Sequence, residues 1–169
     1  MQFDTIVANP PFQDSENRNK TQHKLWIDFT KKSFDSWLKP SGHLLQVSPS
    51  SFSSPSSKVL DIFRRMKVVY IDFDSSKYFP KVGSTFSNYL IKNESGECIT
   101  KIIKNDQEFD YVIGVNTFYL PNDISEHSIN IHKKVIFDTI DKLDVRHDYV
   151  SCHNVKIKLL NSPVSKTET

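Results

Sequence analysis

Residues 3–12 read FDTIVANPPF, and the break inside this stretch decides how the rest of the chain is parsed. FDTIVA is a short β-rich run. Pro10 and Pro11 cannot donate to a ladder or sit inside a helix, so the strand ends at Asn9. Residues 13–22 hold no apolar side chain and read as a loop. From His23 to Leu38 the pattern is helical, with Trp26, Phe29, Ser33 and Trp37 on one stripe, and Lys39-Pro40-Ser41-Gly42 reads as its stop. Residues 43–47 (HLLQV) predict a second strand, apolar enough to be covered on both faces.

Ser54 with Pro55 predicts the start of a second helix, whose apolar face is Val59, Ile62, Phe63 and Met66. Residues 67–73 (KVVYIDF), 85–92 (TFSNYLIK) and 98–104 (CITKIIK) predict three more strands, the last two joined as a hairpin by Asn93-Glu94-Ser95-Gly96. Asp72 and Asp74 read as a solvated rim at a strand end. A strand–helix–strand–helix–strand order predicts an α/β fold with a parallel sheet, closed here by a terminal β-hairpin. A helical stripe through Ile136, Ile140 and Leu143 predicts a small helical C-terminal appendage, ending in a polar tail at 161–169.

The length of 169 residues suits one domain. Average usage would supply about twelve glycines; this chain has 4, namely Gly42, Gly83, Gly96 and Gly114, all far apart. That excludes a glycine-rich phosphate cradle or dinucleotide fingerprint. A net charge of +2 permits a nucleic-acid partner without requiring one. No apolar run reaches the ~18 residues of a membrane helix, and no signal peptide is readable, so a cytoplasmic location is expected. Cys98 and Cys152 form no CxxC pair, and His23, His127, His132, His147 and His153 have no telling spacing, so no metal site is expected.

Asn9-Pro10-Pro11-Phe12 carries the chemistry. It stands at the carboxyl end of a strand, where open α/β sheets bind ligands. Asn9 offers a side-chain carbonyl acceptor, and Pro10 a backbone one beside it. Together they can receive both N–H groups of an exocyclic amine, while Phe12 offers a flat face for the ring.

The stretch FDTIVANPPF resembles motif IV, (D/N/S)PP(Y/F/W), of S-adenosylmethionine-dependent amino-group methyltransferases. Its asparagine form is similar to adenine-N6 DNA methyltransferases. LKPSGHLLQVSPSSF resembles the motif VI region of that family. Tyr78-Phe79-Pro80-Lys81 followed by TFSNYLIK resembles motif VIII of the TaqI-like and type IIG restriction–modification enzymes. The resemblance covers roughly residues 3–93. It implies the motif IV–VIII half of a Rossmann-like methyltransferase sheet. Asn9 and Pro10 would hold the target amino group. Phe12 and Pro11 would line the base site, Phe79 would stack on the other face of a flipped adenine, and Lys81 would contact DNA. Read without the resemblance, Phe79 is equally a core or lid aromatic, Lys81 a solvated lysine and the tetrapeptide a strand-ending turn.

The resemblance also implies S-adenosylmethionine as cofactor, with the site incomplete here because motifs I–III are missing. The expected division is a partial catalytic domain over 1–114 and an extension over 115–169, the start of a target-recognition region. Expected partners are double-stranded DNA with a flipped adenine and a second chain carrying motifs I–III. The implied function is site-specific adenine-N6 DNA methylation, as a fragment or split half of a restriction–modification or phage methyltransferase. The alternatives are an inactive methyltransferase-like module that binds DNA or a partner, and a methyltransferase acting on RNA or a protein amide.

Overall fold

The computed structural model describes residues 1–12, 24–80, 83–121 and 124–132. Strand β1 (Phe3–Ala8) is followed by helix α1 (Leu25–Lys32), a π turn (Ser33–Trp37) and the long strand β2 (Leu38–Pro49). After a 3-10 turn (Ser50–Ser53) come α2 (Lys58–Phe63), β3 (Met66–Asp72) and a second 3-10 turn (Ser75–Tyr78). Strands β4 (Phe86–Ser95), β5 (Ile99–Lys104) and β6 (Gln107–Val112) and helix α3 (Glu126–His132) complete the described chain.

The strands form one six-stranded mixed sheet in the order β1-β2-β4-β3-β5-β6, so the fold is α/β as the sequence predicts. Pairing is parallel for β1–β2 and β3–β5, and antiparallel for β2–β4, β3–β4 and β5–β6. Strands β1, β2, β3 and β5 therefore point the same way and end at one edge of the sheet, the edge that carries Asn9.

The expected hairpin of residues 85–104 does not form. β4 inserts between β2 and β3, with Gln46 opposite Tyr89 and Ile71 opposite Tyr89 on the other side. The turn after β4 instead carries the chain around the start of β3, where Gly96 N–H donates to the Arg65 carbonyl at 3.1 Å. Gly96 has φ +115, a conformation that glycine accepts freely. The terminal hairpin is β5–β6. Asn105 and Asp106, both with positive φ (54 and 56), make its two-residue turn between the paired Lys104 and Gln107.

Two helix boundaries also differ from expectation. α1 stops at Lys32, because Thr30 Oγ1 donates back to the Trp26 carbonyl (2.8 Å) and Ser33 Oγ to the Phe29 carbonyl (2.9 Å). Such back-bonding loosens a helix, and the wider π turn begins at Ser33. α2 is capped by Ser57, whose Oγ accepts from Val59 N–H at 3.3 Å, and not by Ser54. Lys39-Pro40-Ser41-Gly42 belongs to β2 as an irregularity: the partner register jumps from Phe3–Leu38 to Thr5–His43, with Ser41 at φ 62. A Cβ on Gly42 would stand 3.0 Å from the Asp4 and Lys39 carbonyls, a tight contact that favours glycine at this close approach.

The core lies on the helix-covered side of β2, β4 and β3. Phe52 meets Phe63 at 5.1 Å, Tyr89 at 5.3 Å and Phe73 at 5.8 Å between ring centroids. Trp26, Leu44, Ile71 and Ile91 pack with them, and Leu120, Ile124 and Ile129 join the same cluster. β2 is covered on one face, contrary to expectation: Leu44, Gln46 and Ser48 are buried while Leu45 is 36% exposed. The loop expected at 13–22, the helical stripe beyond His132, Cys152 and the tail at 161–169 lie outside the described residues. Among the described residues no helix is long and apolar enough to cross a membrane.

Candidate functional site

Asn9-Pro10-Pro11-Phe12 leaves the sheet at the carboxyl end of β1, level with Gln46 of β2. Asn9 and Pro11 are exposed and Pro10 is buried. Burying the Pro10 ring, which has no N–H to satisfy, seats the turn without leaving a backbone donor unpaired. Phe12 is half-buried and stacks on Phe86, with centroids 5.1 Å apart and planes at 29°.

Phe79 follows the 3-10 turn after β3 and reaches the same ring from elsewhere, 5.1 Å from Phe86 at 48°. The structure thus brings two sequence-singled aromatics to one buried phenylalanine. Lys81 lies outside the described residues. Phe86 itself was missed by sequence reasoning. It opens a strand whose alternation reads as ordinary core, and nothing local marks its register against Pro49.

A cleft of about 360 Å³ opens beside Phe12, walled by Lys24, Trp26, Pro49 and Phe86. A second, of about 400 Å³, lies against Phe73, Asp74, Lys77, Lys104 and Asp106. Ser50 and Thr85 line the second cleft and are joined by Ser50 N–H donating to the Thr85 carbonyl at 3.0 Å. Both clefts sit on the edge that carries Asn9.

Asp72 is buried, not a solvated rim as read from sequence. Its carboxylate accepts from Asp74 N–H (2.7 Å) and from Asn88 Nδ2 (3.3 Å). Burial alone would raise the Asp74 carboxyl. The amides of Asp106 and Asn105, with the Lys104 ammonium, outweigh it and hold that pKa below the usual range. Behind the site, Gln46 Nε2 donates to Thr30 Oγ1 and Tyr89 OH, both at 2.9 Å, and burial lifts the Tyr89 phenol to about 12. Among the described residues no three potential metal ligands converge.

In the methyltransferases that the sequence resembles, a glycine-bearing turn at the carboxyl end of a strand, the edge that here bears Asn9, would hold the methionine part of S-adenosylmethionine. Gly42 lies at the start of β2, Gly96 after β4 and Gly114 after β6, all on the opposite edge. Gly83 alone precedes β4 on the Asn9 side, and its surroundings are open, with no atom within 4 Å of where a Cβ would stand. Among the described residues no glycine directly follows a strand at that edge, so they do not supply that turn for the methyl donor.

Residues 1–79 match the family model of the Eco57I restriction-modification methylase. Among curated proteins none matches the chain. Solved structures similar to it include a chain from a type I restriction–modification complex (TM-score 0.46, 12% identity, 79% of this chain and 29% of that one). The M protein of the type I restriction enzyme EcoKI is similar at TM-score 0.46 and 15% identity, over 79% of this chain and 30% of that one. A modification subunit assigned to a type I restriction enzyme from Vibrio vulnificus YJ016 gives 0.41 and 11%, over 83% and 32%. The chain spans about 30% of the length of these solved chains.

Proposed function

We propose that this chain is the target-holding part of a restriction–modification DNA methyltransferase that methylates adenine at N6. The observation that carries the reading is the convergence of Phe12 and Phe79 on Phe86, beside Asn9 at the carboxyl edge of the sheet. The methylase family match over residues 1–79, which spans both aromatics, supports it. The target adenine is flipped out of the duplex. The Asn9 side-chain carbonyl and the Pro10 carbonyl accept its two amino N–H bonds, which orients the nitrogen lone pair. Phe12, with Pro11 beside it, takes one face of the base and Phe79 the other, each stack contributing about 1–3 kcal/mol. Lys81 meets a phosphate of the backbone. Residues 1–114 act as this partial catalytic domain, and 115–169 extend it toward target recognition.

S-adenosylmethionine supplies an electrophilic methyl group in this chemistry, and its site is completed by sequence beyond the described residues or by a second chain carrying motifs I–III. The open side of β1 supports that division. Phe3 is 42% exposed and Val7 74%, whereas strands of parallel pairs are ordinarily buried.

Two measurements test the reading. Calorimetric titration of S-adenosylmethionine into the chain alone gives no micromolar binding; a micromolar constant would overturn the divided site. In the assembled enzyme, Asn9→Ala lowers methyl transfer to adenine by about 100-fold or more, the scale of losing one oriented polar contact. It leaves the melting temperature unchanged, because Asn9 is exposed. Undiminished transfer would sink the assignment.

A further inference from the structure

We infer that Phe86 is the positioning residue that fixes the slot between Phe12 and Phe79, an inference that rests on the target-base reading above. Both rings stand 5.1 Å from the Phe86 centroid, so their own centroids are at most twice that distance apart. Among the described residues they make no ring contact with each other. The cleft of about 360 Å³ opens on the Phe12 and Phe86 side of this cluster.

Phe86 is held from two directions. It is 3% exposed and pairs with Pro49 in the β2–β4 ladder. Its N–H donates to Ser76 Oγ at 2.7 Å, while the Ser76 carbonyl accepts from Phe79 N–H at 2.9 Å. One serine therefore ties the shared ring to the backbone of the second stacking residue. Phe12 arrives on the stiff Pro10-Pro11 segment, so its approach is also constrained. These contacts hold both rings in place relative to Phe86 before any base enters, which lowers the ordering cost of binding.

The test is a coupling measurement on the full chain. The probe is a duplex carrying 2-aminopurine opposite an abasic site, read by fluorescence quenching. Phe12→Ala and Phe79→Ala each weaken probe binding roughly tenfold, the scale of one lost stack. Phe86→Leu, which keeps apolar bulk but no ring, weakens it by a similar factor. In the Phe12→Ala/Phe79→Ala background Phe86→Leu changes binding by less than about twofold, because it acts only through those rings. An undiminished effect in that background would show that Phe86 merely holds the fold and would overturn the inference. Ser76→Ala gives the same pattern at smaller size and serves where Phe86→Leu fails to fold. If Phe12→Ala and Phe79→Ala leave quenching unchanged, the target-base reading falls and this inference with it. If they weaken it and neither Phe86→Leu nor Ser76→Ala does, the inference alone falls.

Discussion

β1 and β4 belong to one sheet and differ in almost every respect that stabilises a strand. β1 has six residues, one neighbour and an exposed outer side; β4 has ten residues, two neighbours and a fully buried Tyr89 and Ile91. Yet the residues that hold the proposed target follow β1. The stability of this chain is thus concentrated around β4, and the proposed chemistry hangs from one of its two sparsely covered edge strands, pinned by the contact of Phe12 with Phe86. A site at the margin of a core can be completed by other sequence without disturbing that core.

The contrast can be broken most easily on the β4 side. Phe52 touches Phe63, Phe73 and Tyr89 and is fully buried. Phe52→Ala costs about 3–5 kcal/mol of stability in urea unfolding; a loss below about 1 kcal/mol would mean that the core is not centred there.

A smaller effect comes from pH. Glu94, near the end of β4, is held down to about 2 by its hydrogen bond to Lys67 and a second from Lys92. Its folded pKa is depressed, so its contribution is present above the ordinary value of 4.5 and is lost as pH falls toward 2. Wild type should lose more of its urea midpoint than Glu94→Gln does on going from pH 6 to pH 3. Equal losses would place acid sensitivity elsewhere.

The smallest effect belongs to β1. Val7→Ala changes the stability of the free chain by no more than about 0.5 kcal/mol, because Val7 is 74% exposed. A larger loss in thermal unfolding would show that this edge is already covered in the free chain.

Local patterns were legible where local chemistry dictates structure. The two prolines mark the end of β1, and the apolar runs at 67–73 and 85–92 become β3 and β4 with small shifts of boundary. What the sequence did not show was pairing. Asn93-Glu94-Ser95-Gly96 has hairpin residues, but an apolar strand such as β4 buries more when flanked on both sides, and tertiary packing overrode the turn. β6 was overlooked because QEFDYV is polar on its outward face; Asn105-Asp106 before it was the available signal, since both residues tolerate positive φ. For the proposed site, Asn9, Phe12 and Phe79 were named from motif order, whereas the places of Phe86 and Ser76 are set by register and a side-chain bond that no spacing reveals.

The insertion of β4 also has a kinetic consequence. β2 and β3 precede it in the chain and face each other across an empty lane until residues 86–95 arrive to pair with both. No hairpin can nucleate this part of the sheet, so its formation waits on non-local closure, which is slow. During synthesis the segment bearing Asn9 emerges first but gains its aromatic anchor only when Phe86 has been made and docked. A chain that stopped short of Phe86 would carry Asn9-Pro10-Pro11-Phe12 without the ring against which Phe12 sets.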